Sequence, residues 1–136
     1  MGIELSYNPR CEQCIAIGKQ GTTWQFTVDL YQDDAQTIPM DLTGFTARGQ
    51  IRKSYDTNII ATFTCSITNN KVTCLINPTI TASIPAYATN VSMRCLPKWE
   101  AGVNGCYVFD IEIDNGAGYV ERIVEGLLFV DPEVTK

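Results

Sequence analysis

The sequence predicts an all-β fold, and three observations carry that prediction. Apolar and polar residues alternate with a period of two in several separate segments, Asn, Gly and Pro punctuate the gaps between them, and no stretch repeats apolar residues at helical spacing over a useful length. Strands with one wet face each, joined by turns, are most economically arranged as an immunoglobulin-like antiparallel β-sandwich, here with one long loop insertion. The 136 residues fit a single domain with its own core.

Taken in order, residues 1–16 read as an N-terminal arm and 17–136 as the sandwich domain. In "TTWQFTVDLY", Trp24, Phe26, Val28 and Leu30 alternate with Thr23, Gln25, Thr27 and Asp29, the pattern of a half-buried strand. The acidic, proline-containing "QDDAQTIPMD" is a loop. "GFTARGQIRK" alternates again, with Phe45, Ala47 and Ile51 on one face and Arg48, Gln50 and Arg52 on the other. "IIATFTCSI" and "KVTCLIN" pair about Asn69-Asn70, and "CYVFDIEID" pairs with "YVERIVEGLLFV" about Asn115-Gly116, a strong short hairpin signal. Six or so strands result. The short "PTITASIPA", bounded by Pro78 and Pro85, has room for one or two helical turns. The segment of about 87–106, "YATNVSMRCLPKWEAGVNGC", alternates poorly and reads as the inserted loop, and "DPEVTK" leaves the last strand at Pro132.

Composition excludes several function classes. A net charge of −5 lacks the basic face that phosphate binding requires, so neither nucleic acid nor an anionic membrane surface is an expected partner. The first residues have neither the basic start nor the apolar core of a signal peptide, and the product is expected to begin in a cytoplasm. The chain has no histidine, so the common catalytic triads cannot be built. Asp110, Glu112 and Asp114 recur on one strand face, as do Glu121 and Glu125, but alternation alone places charges on the wet face of any sandwich. No catalytic residue, cofactor or metal is expected.

The six cysteines are the remaining candidates for chemistry. A two-residue turn at Asn69-Asn70 sets Thr68 opposite Lys71, Ile67 opposite Val72 and Cys65 opposite Cys74, with Phe63 opposite Ile76. Cys65 and Cys74 then fall at a non-hydrogen-bonded pair, where a cross-strand disulfide is geometrically feasible and a buried pair of thiols is the alternative. Cys11 and Cys14 have the spacing of a redox dithiol or half a zinc site. Cys95 and Cys106 either complete a four-cysteine set with them or staple the base of the inserted loop. Trp24 is expected in the core. Trp99, together with Arg94, Lys98 and Tyr87 in or beside the insertion, is a candidate contact surface.

The order of motifs adds a resemblance. "KQGTTWQFTV", "IPMDLTGFTARGQIRK", "PTITASIPA", "YVFDIEI" and "VERIVEGLLFVDPEVTK" together resemble a family of small immunoglobulin-like bacteriophage virion proteins, and the pattern is similar to that of the amino-terminal domain of phage baseplate upper proteins. The likeness covers roughly Ile17 to Lys136. It departs at the first sixteen residues and at the insertion between Ala86 and Tyr107. It implies a non-enzymatic virion part, assembled in the host cytoplasm, acting as a tail, baseplate or fibre-attachment adaptor. Its partners would be other virion proteins and further copies of itself, reached through the arm from Met1 to Ile15, the loop from Met93 to Cys106 and the C-terminal tail. A capsid cement protein that stabilises the head is an alternative role for such a fold. A carbohydrate-binding module using Trp99 and Tyr87 is an alternative of another class.

Overall fold

The computed structural model describes residues 3–8, 13–53, 58–86 and 106–132. Among the described residues there are eight strands, β1 (Ile3–Asn8), β2 (Gln13–Lys19), β3 (Trp24–Asp29), β4 (Thr46–Arg52), β5 (Ile59–Thr68), β6 (Lys71–Ile76), β7 (Cys106–Asp114) and β8 (Val120–Asp131), and one helix, α1 (Pro78–Ser83). The fold is all-β. The strands form one sheet in the order β1-β2-β8-β7-β4-β5-β6-β3, nearly closed into a barrel. The ten-residue β5 links its two halves, pairing with β4 from Ile59 to Phe63 and with β6 from Thr64 to Thr68.

Two expectations are corrected here. The sheet is mixed rather than antiparallel throughout, because β2 docks parallel to β8 on the side that β7 leaves free. Residues 3–8 and 13–16 belong to strands of that sheet, so the boundary drawn between an arm and a domain at residue 16 falls inside β2. Within the first sixteen residues Ile3, Leu5 and Tyr7 alternate with Glu4, Ser6 and Asn8, a local strand signal for β1, whereas Gln13–Ala16 at the start of β2 shows no such alternation. The pairing of β2 to β8 comes from tertiary context, which routinely overrides local strand propensity.

The inward residues are those the alternation marks. Trp24, Phe26, Phe63, Val72, Cys74, Ile76, Ile111 and Ile113 lie in one buried cluster with Ala16, Ile51, Leu128 and Val130. Phe26 and Phe63 meet edge to face with ring centroids 5.6 Å apart. Two glycines let backbones close on this core. A Cβ at Gly18 would stand 2.5 Å from the Trp24 ring, and one at Gly49 would stand 2.3 Å from Ile111 Cδ1. Trp24, fully buried as expected, gives its indole N–H to the Lys19 carbonyl at 2.8 Å.

Helix α1 is tied to the turn between β2 and β3, where the Gln20 side-chain amide donates to the Ile84 carbonyl at 2.9 Å. Asn77 caps it, accepting the Ile80 N–H at 3.0 Å, and Pro78 occupies the first turn, where a missing N–H costs nothing. Thr81 is completely buried yet satisfied, since its hydroxyl donates to the Thr22 carbonyl at 2.7 Å. The Tyr107 hydroxyl donates to the Pro85 carbonyl at 2.6 Å and fastens the chain after the helix to β7.

Candidate functional site

Three places among the described residues gather groups with chemical or binding capacity: the wet face of β4, β7 and β8, the hairpin of β5 and β6, and the outer edge of β3.

On the wet face, period-two alternation brings Arg48 from β4 beside Glu112 and Asp114 from β7, at 3.0 and 3.2 Å. Arg122 from β8 lies 3.3 Å from Asp110 and 3.0 Å from Glu125. A bulge between Ile111 and Glu112 decides which β8 residues reach this face. It pairs Arg122 with Glu112 and Glu125 with Asp110, and moves Glu121 opposite the inward-facing Ile113. The expectation that Glu121 and Glu125 share a face is thus corrected, because an extra residue in one strand breaks the period of two between them. Arg48, Asp110, Glu112, Arg122 and Glu125 line an open hollow of about 380 Å³ on this face.

The electrostatics of that hollow are those of a neutralised surface. Burial lifts the Asp110 carboxyl above the ordinary carboxylate range, the neighbouring Glu112 lifts it further, and Arg122 opposes both. Asp114 moves the other way, held down by the Gly116 N–H at 2.7 Å and then by Arg48. The residues lining the hollow include no hydroxyl, thiol or imidazole that a carboxylate would activate. What the arrangement does is hold three strands in register through pairs of guanidinium and carboxylate groups.

In the hairpin, Thr68 faces Lys71, Ile67 faces Val72, Ser66 faces Thr73 and Cys65 faces Cys74, the register expected from the Asn69-Asn70 turn. Phe63 departs from that expectation. It pairs with Gly49 of β4 rather than with Ile76, because β5 changes partners after Phe63, and Ile76 pairs with Trp24 instead. Only Asn69 takes a left-handed conformation, with φ of 56°, so the turn does not require it at Asn70. Asn70 instead clamps the hairpin tip to the end of β3. Its carbonyl accepts the Leu30 N–H, and its side-chain amide donates to the Leu30 carbonyl, both at 2.9 Å.

Cys65 and Cys74 have their sulfurs 3.7 Å apart and are free thiols. Cys74 is fully buried and Cys65 partly exposed. As a neutral thiol Cys65 donates toward Cys74. Once Cys65 ionises, the Cys74 S–H turns back to it, which holds the Cys65 thiol below its ordinary range and, with burial, pushes Cys74 up.

At the β3 edge the hairpin register fixes which backbone groups face outward. Successive residues of an antiparallel ladder point both backbone groups to alternate sides. Lys71, Thr73 and Leu75 turn toward β5, so Val72, Cys74 and Ile76 turn toward β3 and meet Val28, Phe26 and Trp24. The Leu30 to Asn70 hydrogen bond continues that set. Gln25, Thr27 and Asp29 therefore direct their N–H and C=O groups away from β6. Among the described residues β3 ends the sheet order, and β1 approaches it without pairing.

Of the remaining residues that the sequence marks as candidates, Cys11, Cys95, Tyr87, Arg94, Lys98 and Trp99 lie outside the described residues. Cys14 sits opposite Gly126 and Cys106 opposite Phe129, on the two strands that flank β8. Among the described residues no group of three or more Cys, Asp or Glu residues is arranged to hold a metal ion. Composition does not point to the β3 edge, although its outward set follows from counting back along the hairpin. Compared with protein-family models the chain matches none, and compared with curated proteins it likewise gives no match.

Proposed function

We propose that this protein is a non-enzymatic structural part of a bacteriophage virion, an adaptor in the tail, baseplate or fibre-attachment region that acts through protein–protein contacts. The observation that carries the reading is the ordered set of five motifs from "KQGTTWQFTV" to "VERIVEGLLFVDPEVTK". The passage of β5 through both halves of the sheet supports reading those halves as the two layers of an immunoglobulin-like sandwich. Carboxylates tied up by arginines support a scaffold rather than a hydrolytic or acid–base centre.

The β3 edge gives this adaptor its contact. An unpaired strand edge is a template for strand addition, and natural monomers usually blunt such edges with proline, lysine or a bulge. β3 has none of these between Trp24 and Asp29 and keeps unbroken register with β6. A second copy added antiparallel about a two-fold axis at Thr27 places Thr27 against Thr27 of the second copy, and Gln25 against Asp29 of the second copy. No like charges meet, and the outward backbone groups of both strands find partners.

Immunogold labelling of purified intact particles tests the role. The reading predicts label at the tail or its tip. Label spread over the head identifies a cement protein instead, and particles without label overturn the virion assignment.

A further inference from the structure

We propose that Cys65 and Cys74 form an oxidation site at which an external disulfide of the glutathione class is attacked first by Cys65 and resolved by Cys74, leaving a cross-strand disulfide between β5 and β6. The geometry is that of a non-hydrogen-bonded pair, the position in an antiparallel ladder where opposed Cα atoms come closest and fall in the range a disulfide spans. The sulfurs already stand 3.7 Å apart. Their unequal exposure sets the order of events. An oxidant arriving from solvent meets Cys65, while Cys74 lies behind it against Phe26 of β3 and has no solvent exposure. The hydrogen bond returned by Cys74 favours the Cys65 thiolate, which is the nucleophilic form.

Cys65 gives its proton to water, and its thiolate attacks one sulfur of the oxidant. The oxidant's S–S bond breaks, one thiolate departs and is protonated, and Cys65 carries a mixed disulfide. Cys74 then attacks Cys65 Sγ, the bond from Cys65 to the oxidant's sulfur breaks, and the proton that Cys74 gives up passes to the departing thiolate, which leaves as the second thiol. Two protein thiols are oxidised and one disulfide is reduced to two thiols. The bond ties the half of β5 that has left β4 to β6, the strand it joins. The chemistry does not depend on the virion role. That role supplies only an occasion, because a chain made in a reducing cytoplasm meets oxidising surroundings on release.

The test uses the full-length native protein, incubated with oxidised glutathione, alkylated and digested with trypsin. Cleavage after Lys53, Lys71 and Arg94 puts Cys65 in peptide 54–71 and Cys74 in peptide 72–94, with no other cysteine in either. The proposal expects these two peptides to be recovered joined, and released by reduction. In Cys74→Ser the glutathione adduct accumulates on peptide 54–71. In Cys65→Ser the folded protein carries an adduct on peptide 72–94 at a level lower by about tenfold or more. Failure of the two peptides to join while other cysteines react, or equal modification of Cys74 when Cys65 is absent, overturns it. The wild-type linkage stands as a readout whether or not either variant folds.

Discussion

Gly49 is where the tightest packing falls on the smallest residue. It sits on β4 between Phe63 of β5 and Ile111 of β7, and the Phe63 ring, like the Asp110 carbonyl, would lie 3.1 Å from an added Cβ. Gly49→Ala forces that methyl against Ile111 Cδ1, so urea unfolding should show a loss of about 1–3 kcal/mol. A neutral result would mean that β4 and β7 pack more loosely than these distances imply. Asp110, on the other side of the same strands, tests the electrostatics. Its folded pKa is raised, chiefly by burial, so the native state holds this proton more tightly than the unfolded chain does. The ionised carboxylate therefore costs stability at neutral pH, and the cost disappears below the unfolded carboxylate range. Asp110→Asn should raise the unfolding free energy at pH 7 by less than about 1 kcal/mol, given the exposure of its ion pair with Arg122, and leave it unchanged near pH 3. Asp114 has the opposite sign: its lowered pKa contributes stability above the unfolded value, lost as pH falls through the folded one. These residue-level charges are legible in the sequence as a wet face, but their pairing is not, because one bulge residue decides whether Glu121 or Arg122 joins it.

The hairpin is the element in which sequence and structure agree most closely, and its turn shows where the agreement ends. Period two and a two-residue loop are enough to set Cys65 against Cys74, since any one-residue slip would drive Phe63 and Val72 out of the core. The conformation of the turn residues is a finer matter, and only Asn69 has positive φ. Asn69→Gly should preserve or slightly raise stability, whereas Asn69→Val places a β-branched residue at positive φ and should cost about 1–3 kcal/mol. Equal stability of the two variants would show that the turn relaxes to another type. The second hairpin is less legible. Asn115-Gly116 signals a two-residue turn, yet β7 and β8 are joined by five residues, Asp114 pairs with Val120, and Asn115 N–H donates to the Tyr119 carbonyl at 3.1 Å. Gly116 and Gly118 both have positive φ, and Asn115 accepts the Ala117 N–H at 2.8 Å, so the glycines serve a wider loop. The run Gly126–Val130 is read as strand but shows no alternation, for another reason. All five residues are buried, and a strand covered on both faces loses its alternation.

At the scale of the whole molecule, the chain joins a closed apolar interior to an open backbone edge. Local alternation announces the interior, which is why the class of fold and most of its core can be read from the residues. The closure cannot, since β2 finds β8 across more than a hundred residues and no local pattern encodes a parallel partner at that distance. The edge follows from incomplete closure: among the described residues the sheet stops at β3, which leaves Gln25, Thr27 and Asp29 with N–H and C=O groups directed away from β6. The most direct measurement of the central claim, that this molecule works by strand-to-strand contact, is sedimentation of the wild type beside Thr27→Pro. The Thr27 N–H takes no part in the ladder with β6, so proline there removes an outward donor and obstructs a docking strand while β3 keeps its inner bonds. The account predicts a self-associating wild type and a folded, monomeric Thr27→Pro, with matching circular dichroism. A folded Thr27→Pro that associates as the wild type does, or a wild type that stays monomeric at every concentration, would contradict it.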